Sequence, residues 1–221
     1  MPIVNTKSGL VSGKSENGLY EFKGVPYAEP PTGKNRWLPP LPVKPWVGLK
    51  ECHEYGNICP QNVMPYEAAE SAASEAPASN QSEDCLTLNI WSPDLEGEKK
   101  PVMVWIHGGA YILGSGSEES ANPRHISKNK DIVSVTINYR LACFGFLRLM
   151  DITDGKIPST GNEALLDQIE ALKWTKDNIA SFGGDPDNIT VMGHSAGGHS
   201  IGTLVAMPAA MGLFQKGIVD A

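Results

Sequence analysis

The chain has 221 residues, 41% of them apolar, enough to bury one sizeable α/β core. Its net charge of −7 and pI near 5.2 argue against nucleic acid or an anionic membrane as partner. No apolar run approaches the length of a membrane span, and the four cysteines show neither CxxC spacing nor a His/Cys cluster for zinc, so no metal or cofactor is expected.

Met1 to Thr6 opens directly in strand-like sequence, without a signal-peptide pattern. Strands are predicted near 2–5 and 9–13 as a hairpin. Inside it, Ser8 to Ser15 imitates a P-loop, but the first position is Ser rather than Gly and no helix follows. Glu67 to Ser79, rich in Ala, Ser and Glu, reads as a surface loop. Leu86, Leu88 and Ile90 then alternate with polar partners, which predicts a strand over 86–91 that completes an antiparallel beginning.

Pro101 to Ile106 is a near-continuous apolar run, the pattern of a strand buried on both faces. It ends in His107-Gly108-Gly109-Ala110-Tyr111. Small residues after a central strand let backbone N–H groups approach a substrate carbonyl as it becomes negative, and one such donor is worth roughly 3–4 kcal/mol. The expected donors are the amides of Gly109 and Ala110. A second core strand is predicted over 132–137. An amphipathic helix follows from about Glu163 to Ser181, with Leu165, Ile169, Leu172 and Ile179 on one stripe, Asn162 as its cap and Gly183-Gly184 as its stop.

Ile189 to Met192 is a short apolar, β-branched run that ends at Gly193-His194-Ser195-Ala196-Gly197-Gly198. This is Gly-x-Ser-x-Gly, a strand-to-helix turn with a serine at its apex. Side chains two residues before and after Ser195 would collide there, so hydrogen alone fits at Gly193 and Gly197. Ile201, Leu204 and Val205 recur at helical spacing, which supplies the helix the turn requires. Ser195 is thus the candidate nucleophile, and the Ala196 amide the third oxyanion donor. A further strand is predicted over Phe214 to Val219. The strands over 102–106, 132–137 and 189–192 form the parallel core of the predicted sheet.

With these motifs stand Phe22 to Ala28, Glu83 to Trp91, Asn138 to Leu141, Phe144 to Leu147 and Phe182 to Pro186. Together, and in this order from about Thr6 to the last residue, they resemble the type-B carboxylesterase group, which includes carboxylesterases, cholinesterases and lipases. The resemblance implies an α/β-hydrolase fold, here its N-terminal half, with a mostly parallel central sheet and antiparallel N-terminal strands. It implies hydrolysis of small-molecule carboxylic esters through Ser195 and an acyl-enzyme. The competing reading is an inactive fragment or a non-catalytic cholinesterase-like binding module.

In that fold the triad runs Ser, then Asp or Glu, then His. Only 26 residues follow Ser195, and their one acid, Asp220, and one histidine, His199, come in the wrong order. The expectation is therefore one partial hydrolase domain over 1–221 whose acid and base are missing, with the C-terminal half of the same fold as its partner. His107 is expected to shape its loop, and His53 and His125 to be solvated. His194 stands where many members of the group carry Glu, and a histidine there offers a surrogate base beside the reading as a variable position.

The resemblance also pairs Cys59 with Cys85 in a disulfide, which would limit the unfolded chain by roughly 3.5 kcal/mol. Such a bond implies an oxidising compartment, against the missing signal pattern, so the localisation stays open. Cys52 and Cys143 are expected as ordinary packed thiols. The loop between Cys59 and Cys85 holds no Trp and has Tyr66 as its only aromatic, which disfavours a cation–π choline site. Asn80 and Asn188 head sequons that do not decide the compartment.

Overall fold

The computed structural model describes residues 1–62, 80–119 and 122–220. The Ala/Ser/Glu-rich stretch and Tyr66 lie outside the described residues. Val4 and Thr6 are buried while Ile3 and Asn5 face out, the period-two pattern that makes β1 (Ile3–Thr6). It pairs antiparallel with β2 (Gly9–Ser12). Next come β3 (Lys14–Glu16), β4 (Leu19–Pro26) and β5 (Leu49–Glu51). The hairpin was expected to begin the main sheet. It forms instead a separate three-stranded sheet in the order β1-β2-β5.

The main sheet takes its antiparallel beginning from β3, β4 and β6 (Thr87–Ser92). It continues through β7 (Lys100–Ile106), β8 (Val133–Ile137), β9 (Gly184–His194) and β10 (Lys216–Asp220). Its seven described strands run β10-β9-β7-β8-β6-β4-β3, the first four mutually parallel and the rest antiparallel. All five residues of β8 are buried, as a strand covered on both faces requires. Val102, Val104, Ile106, Val135, Ile137, Ile189 and Val191 form the centre of the core.

The described helices are α1 (Arg124–Lys130), α2 (Glu163–Asn178) and α3 (Ala196–Ala206), with a single helical turn at Ala142–Gly145. Helix α2 buries Ile169 and Leu172 but leaves Leu165 half-exposed. The expected Asn162 cap is corrected: Asn162 occupies the N-cap position, yet its side chain makes no capping bond. The buried Glu163 carboxylate instead ties down the chain that leads into the helix, accepting the amides of Thr160 at 2.7 Å and Gly161 at 3.0 Å, and an acid in the first turn suits the positive end of the helix dipole. The α-helix ends at Asn178, earlier than the sequence suggests, and a tighter turn over Ile179–Phe182 carries the chain to Gly183 at φ +82°. Phe182 then packs edge-on against Phe22 with ring centroids 4.9 Å apart, joining this corner to β4. Among the described residues no helix is long and apolar enough to cross a membrane.

Candidate active site

Parallel strands β7 and β9 end side by side, with Ile106 in register with Gly193. The loop after β7 and the turn after β9 must therefore share one space at the carboxyl edge of the sheet, the position where open α/β sheets bind ligands. Ser195 sits at the apex of the turn with φ +52° and ψ −118°, a conformation that costs of order 1–3 kcal/mol for a residue with a side chain. Two backbone bonds hold it: its N–H donates to the Asp220 carbonyl at 2.7 Å, and its carbonyl accepts from the His199 amide at 2.9 Å. A Cβ on Gly193 would lie 2.5 Å from the Gly197 carbonyl carbon, and one on Gly197 only 2.1 Å from the Ile106 oxygen. Strand end, turn and helix start are thus in backbone contact, as the glycine spacing predicts.

The β7 loop lies directly on the serine. A Cβ on Gly108 would come within 2.8 Å of the His194 carbonyl oxygen and 3.3 Å of the Ser195 Cβ. Gly109, Ala110 and Tyr111 follow with φ of +101°, +52° and +64°, a run of left-handed residues in which two carry side chains. The turn is closed by the Gly109 carbonyl, which accepts from the amides of Ile112 and Leu113, and by the Tyr111 carbonyl, which accepts from Ala142 at 2.8 Å. The amides of Gly109 and Ala110 donate to no group among the described residues. Ala196 opens α3, where first-turn amides have no partner within the helix.

The His107 ring is buried and stacked on Tyr139, with centroids 4.3 Å apart and planes 12° from parallel. Burial pushes its pKa down to about 4 against the pull of the Gly108 carbonyl, 2.8 Å from Nδ1. It is a neutral wedge beneath the loop, and the Tyr139 hydroxyl donates to its carbonyl at 2.8 Å. The other histidines lie elsewhere. His199 is exposed on α3, and the half-buried His53 meets Ser12 at 3.1 Å. His125 stands exposed on α1 beside Asn129. His194 is exposed with Nδ1 3.1 Å from Asp220 Oδ2.

The expected Cys59–Cys85 disulfide is not formed here. Both are buried free thiols, and Cys85 is hydrogen-bonded to Cys59, a contact wider than the ~2.05 Å of an S–S bond. That bond and burial push the Cys85 thiol well above its usual pKa. Cys59 Sγ also accepts the Leu141 amide at 3.2 Å. Cys52 is a packed thiol as expected, but Cys143 is exposed.

Two supports of the site escape sequence reasoning. Arg140 forks onto Asp167 with two 2.7 Å bonds, both side chains buried, and reaches the Leu38 carbonyl at 2.8 Å. Burial pushes the Asp167 carboxyl up, opposed by the guanidinium fork. A carboxylate on the apolar face of α2 was the available signal. Gln61, whose side chain joins Gly114 in the β7 loop, gave none, because its partner is 53 positions away.

The sequence profile of the carboxylesterase family matches residues 1–221. The chain is 48% identical over 219 residues to para-nitrobenzyl esterase of Bacillus subtilis (strain 168), covering 99% of this chain and 43% of that protein. It is 42% identical to phenmedipham hydrolase of Pseudarthrobacter oxydans, covering all of this chain and again 43% of the relative. Among solved structures, a thermophilic PNB esterase superposes with a TM-score of 0.89 at 46% identity, over 98% of this chain and 43% of that one. The chain thus spans less than half the length of these relatives. It has the α/β-hydrolase fold and belongs to the carboxylesterase family.

Proposed function

We propose that this chain supplies the nucleophile and the oxyanion-binding amides of a serine carboxylesterase acting on small-molecule carboxylic esters. The observation that carries the reading is the strained Ser195, raised on its turn and pressed against the Gly108 loop. Ser195 Oγ attacks the ester carbonyl carbon and gives its proton to a general base. The tetrahedral oxyanion is held by the amides of Gly109, Ala110 and Ala196. Its collapse breaks the bond to the alcohol, which leaves with that proton. Water then attacks the acyl-enzyme, the acid departs and Ser195 regains its proton.

The base and its carboxylate partner come from outside these residues, in the C-terminal part of the same fold. In support, His107 is buried and neutral, His194 is engaged with Asp220, and His199 points from an exposed position on α3. The Bacillus relative is named for a para-nitrobenzyl ester, which makes such an aryl-alkyl ester the first substrate to try.

The test is fluorophosphonate labelling with peptide mapping, alongside para-nitrobenzyl ester hydrolysis. Label on Ser195, lost with hydrolysis in Ser195→Ala, is the expected result. Label on another residue, or hydrolysis that survives Ser195→Ala, overturns the reading. Rapid labelling by the 221-residue chain alone would show that the base lies within it.

A further inference from the structure

We infer that Gln61 is a positioning residue for the oxyanion hole, an inference that rests on the reading of Gly109 and Ala110 given above. Its carboxamide grips the backbone of Gly114 from both sides. Nε2 donates to the Gly114 carbonyl at 3.0 Å, and the Gly114 amide donates to Oε1 at 2.8 Å. The second Nε2 hydrogen goes to the Cys59 carbonyl at 3.0 Å, so every donor of the group is used. Gln61 is itself held, its amide donating to Gln81 Oε1 at 2.9 Å on a stem closed by bonds between Ile58 and both Asn80 and Ser82.

What Gly114 touches gives the clamp its chemical meaning. At φ +107°, a Cβ there would lie 2.4 Å from His107 Nδ1 and 2.7 Å from the Gly108 carbonyl oxygen. Gly114 is therefore wedged against the carbonyl of the Gly108–Gly109 peptide. That peptide is planar, so its C=O and the Gly109 N–H turn as one body. Holding Gly114 fixes the Gly108 carbonyl, and with it the aim of the Gly109 donor. One neighbouring anchor meets the same carbonyl, His107 Nδ1 at 2.8 Å, and Gly114 packs on both of them; the others act elsewhere, Ala142 on Tyr111, and Asn89, Thr136 and Asn138 on Gly116. Gln61 thereby makes the Cys59 side of the loop a wall of the oxyanion hole without touching substrate.

The test uses the full protein carrying this chain, comparing wild type, Gln61→Met, which keeps length and loses every side-chain bond, and Gln61→Ala. Fluorophosphonate places a P–O oxygen where the oxyanion sits, so its kinact reads the aim of the amides and its KI reads general binding. The expected result is a fall in kinact of roughly 10- to 100-fold with KI within about 3-fold, below the loss for deleting a donor outright. Hydrogen exchange should quicken at Gly114 and through 107–113 in both variants. Unchanged kinact in variants whose wild-type parent labels Ser195 would overturn the role of Gln61. A wild type that does not label Ser195 would overturn the nucleophile reading instead. In that case unchanged exchange at 107–114 still removes the clamp.

Discussion

The His194 imidazole and the Asp220 carboxylate stand 3.1 Å apart across the paired ends of β9 and β10. The pair sits beside the nucleophile and is built from the right residue types for a base and its orienting acid. Its placement argues against that use. His194 is the last residue of β9, exposed, with Nδ1 turned to Asp220 in solvent. His194→Gln should therefore leave the rate of fluorophosphonate labelling of Ser195 within about 3-fold, since exposed pairs of this kind contribute little. A loss of two orders of magnitude would restore the surrogate base.

The glycines of α3 make opposite predictions within one helix. A methyl at Gly197 would overlap the Ile106 oxygen, a backbone atom that cannot yield without moving β7. Gly197→Ala should cost more than about 3 kcal/mol or prevent folding. Gly202, on the exposed side of the same helix, would meet nothing within 4 Å. Gly202→Ala should stabilise by about 0.5–1 kcal/mol through the lost freedom of the unfolded chain. Urea denaturation of both variants checks the pair, and equal effects of the same sign would refute the packing argument.

The features legible in the sequence are those encoded locally. Strands β7, β8 and β9 are short apolar runs, and the glycines around Ser195 and after Ile106 mark where the backbone must turn. Strand β4 was hidden because a register shift between Phe22 and Val25 breaks its alternation. Strand β5 was hidden because all three of its residues are exposed, which leaves no pattern to read. At the site, Ser195 and the Gly108–Ala110 loop could be read for the same local reason. Gln61 and Arg140 could not, because each acts on a partner brought near only by the finished fold. Asn162 illustrates the opposite error: a good capping residue in the right place whose side chain makes no capping bond.

The Arg140–Asp167 fork fastens the segment after β8 to α2, and both groups are out of water. Removing one charge leaves the other buried and unpaired, so Asp167→Asn should cost about 3–5 kcal/mol. Replacing both, as Arg140→Met with Asp167→Leu, removes the orphan charge and should recover most of that loss, except for the bond to Leu38 and the one from the Arg140 amide to Asp167. Melting temperatures of the three variants decide this. A double variant as damaged as the single one would mean that the fork contributes net stability rather than avoiding a penalty.

His107 gives the fold an acid sensitivity of calculable sign. Its pKa is about 4 when folded, against about 6.5 for an exposed imidazole. As the pH falls through 6.5 the unfolded chain takes up a proton that the folded chain refuses until about pH 4, so stability drops throughout that window. Above pH 6.5 the contribution is complete; by pH 4 the loss from this group reaches about 3 kcal/mol. His107→Phe keeps a ring to stack on Tyr139 but cannot titrate. Urea denaturation at pH 7, 6, 5 and 4 should therefore show a flatter decline for the variant than for the wild type, whatever its stability at pH 7. Parallel declines would mean that other groups carry the acid sensitivity and that the His107 ring is protonated in the fold.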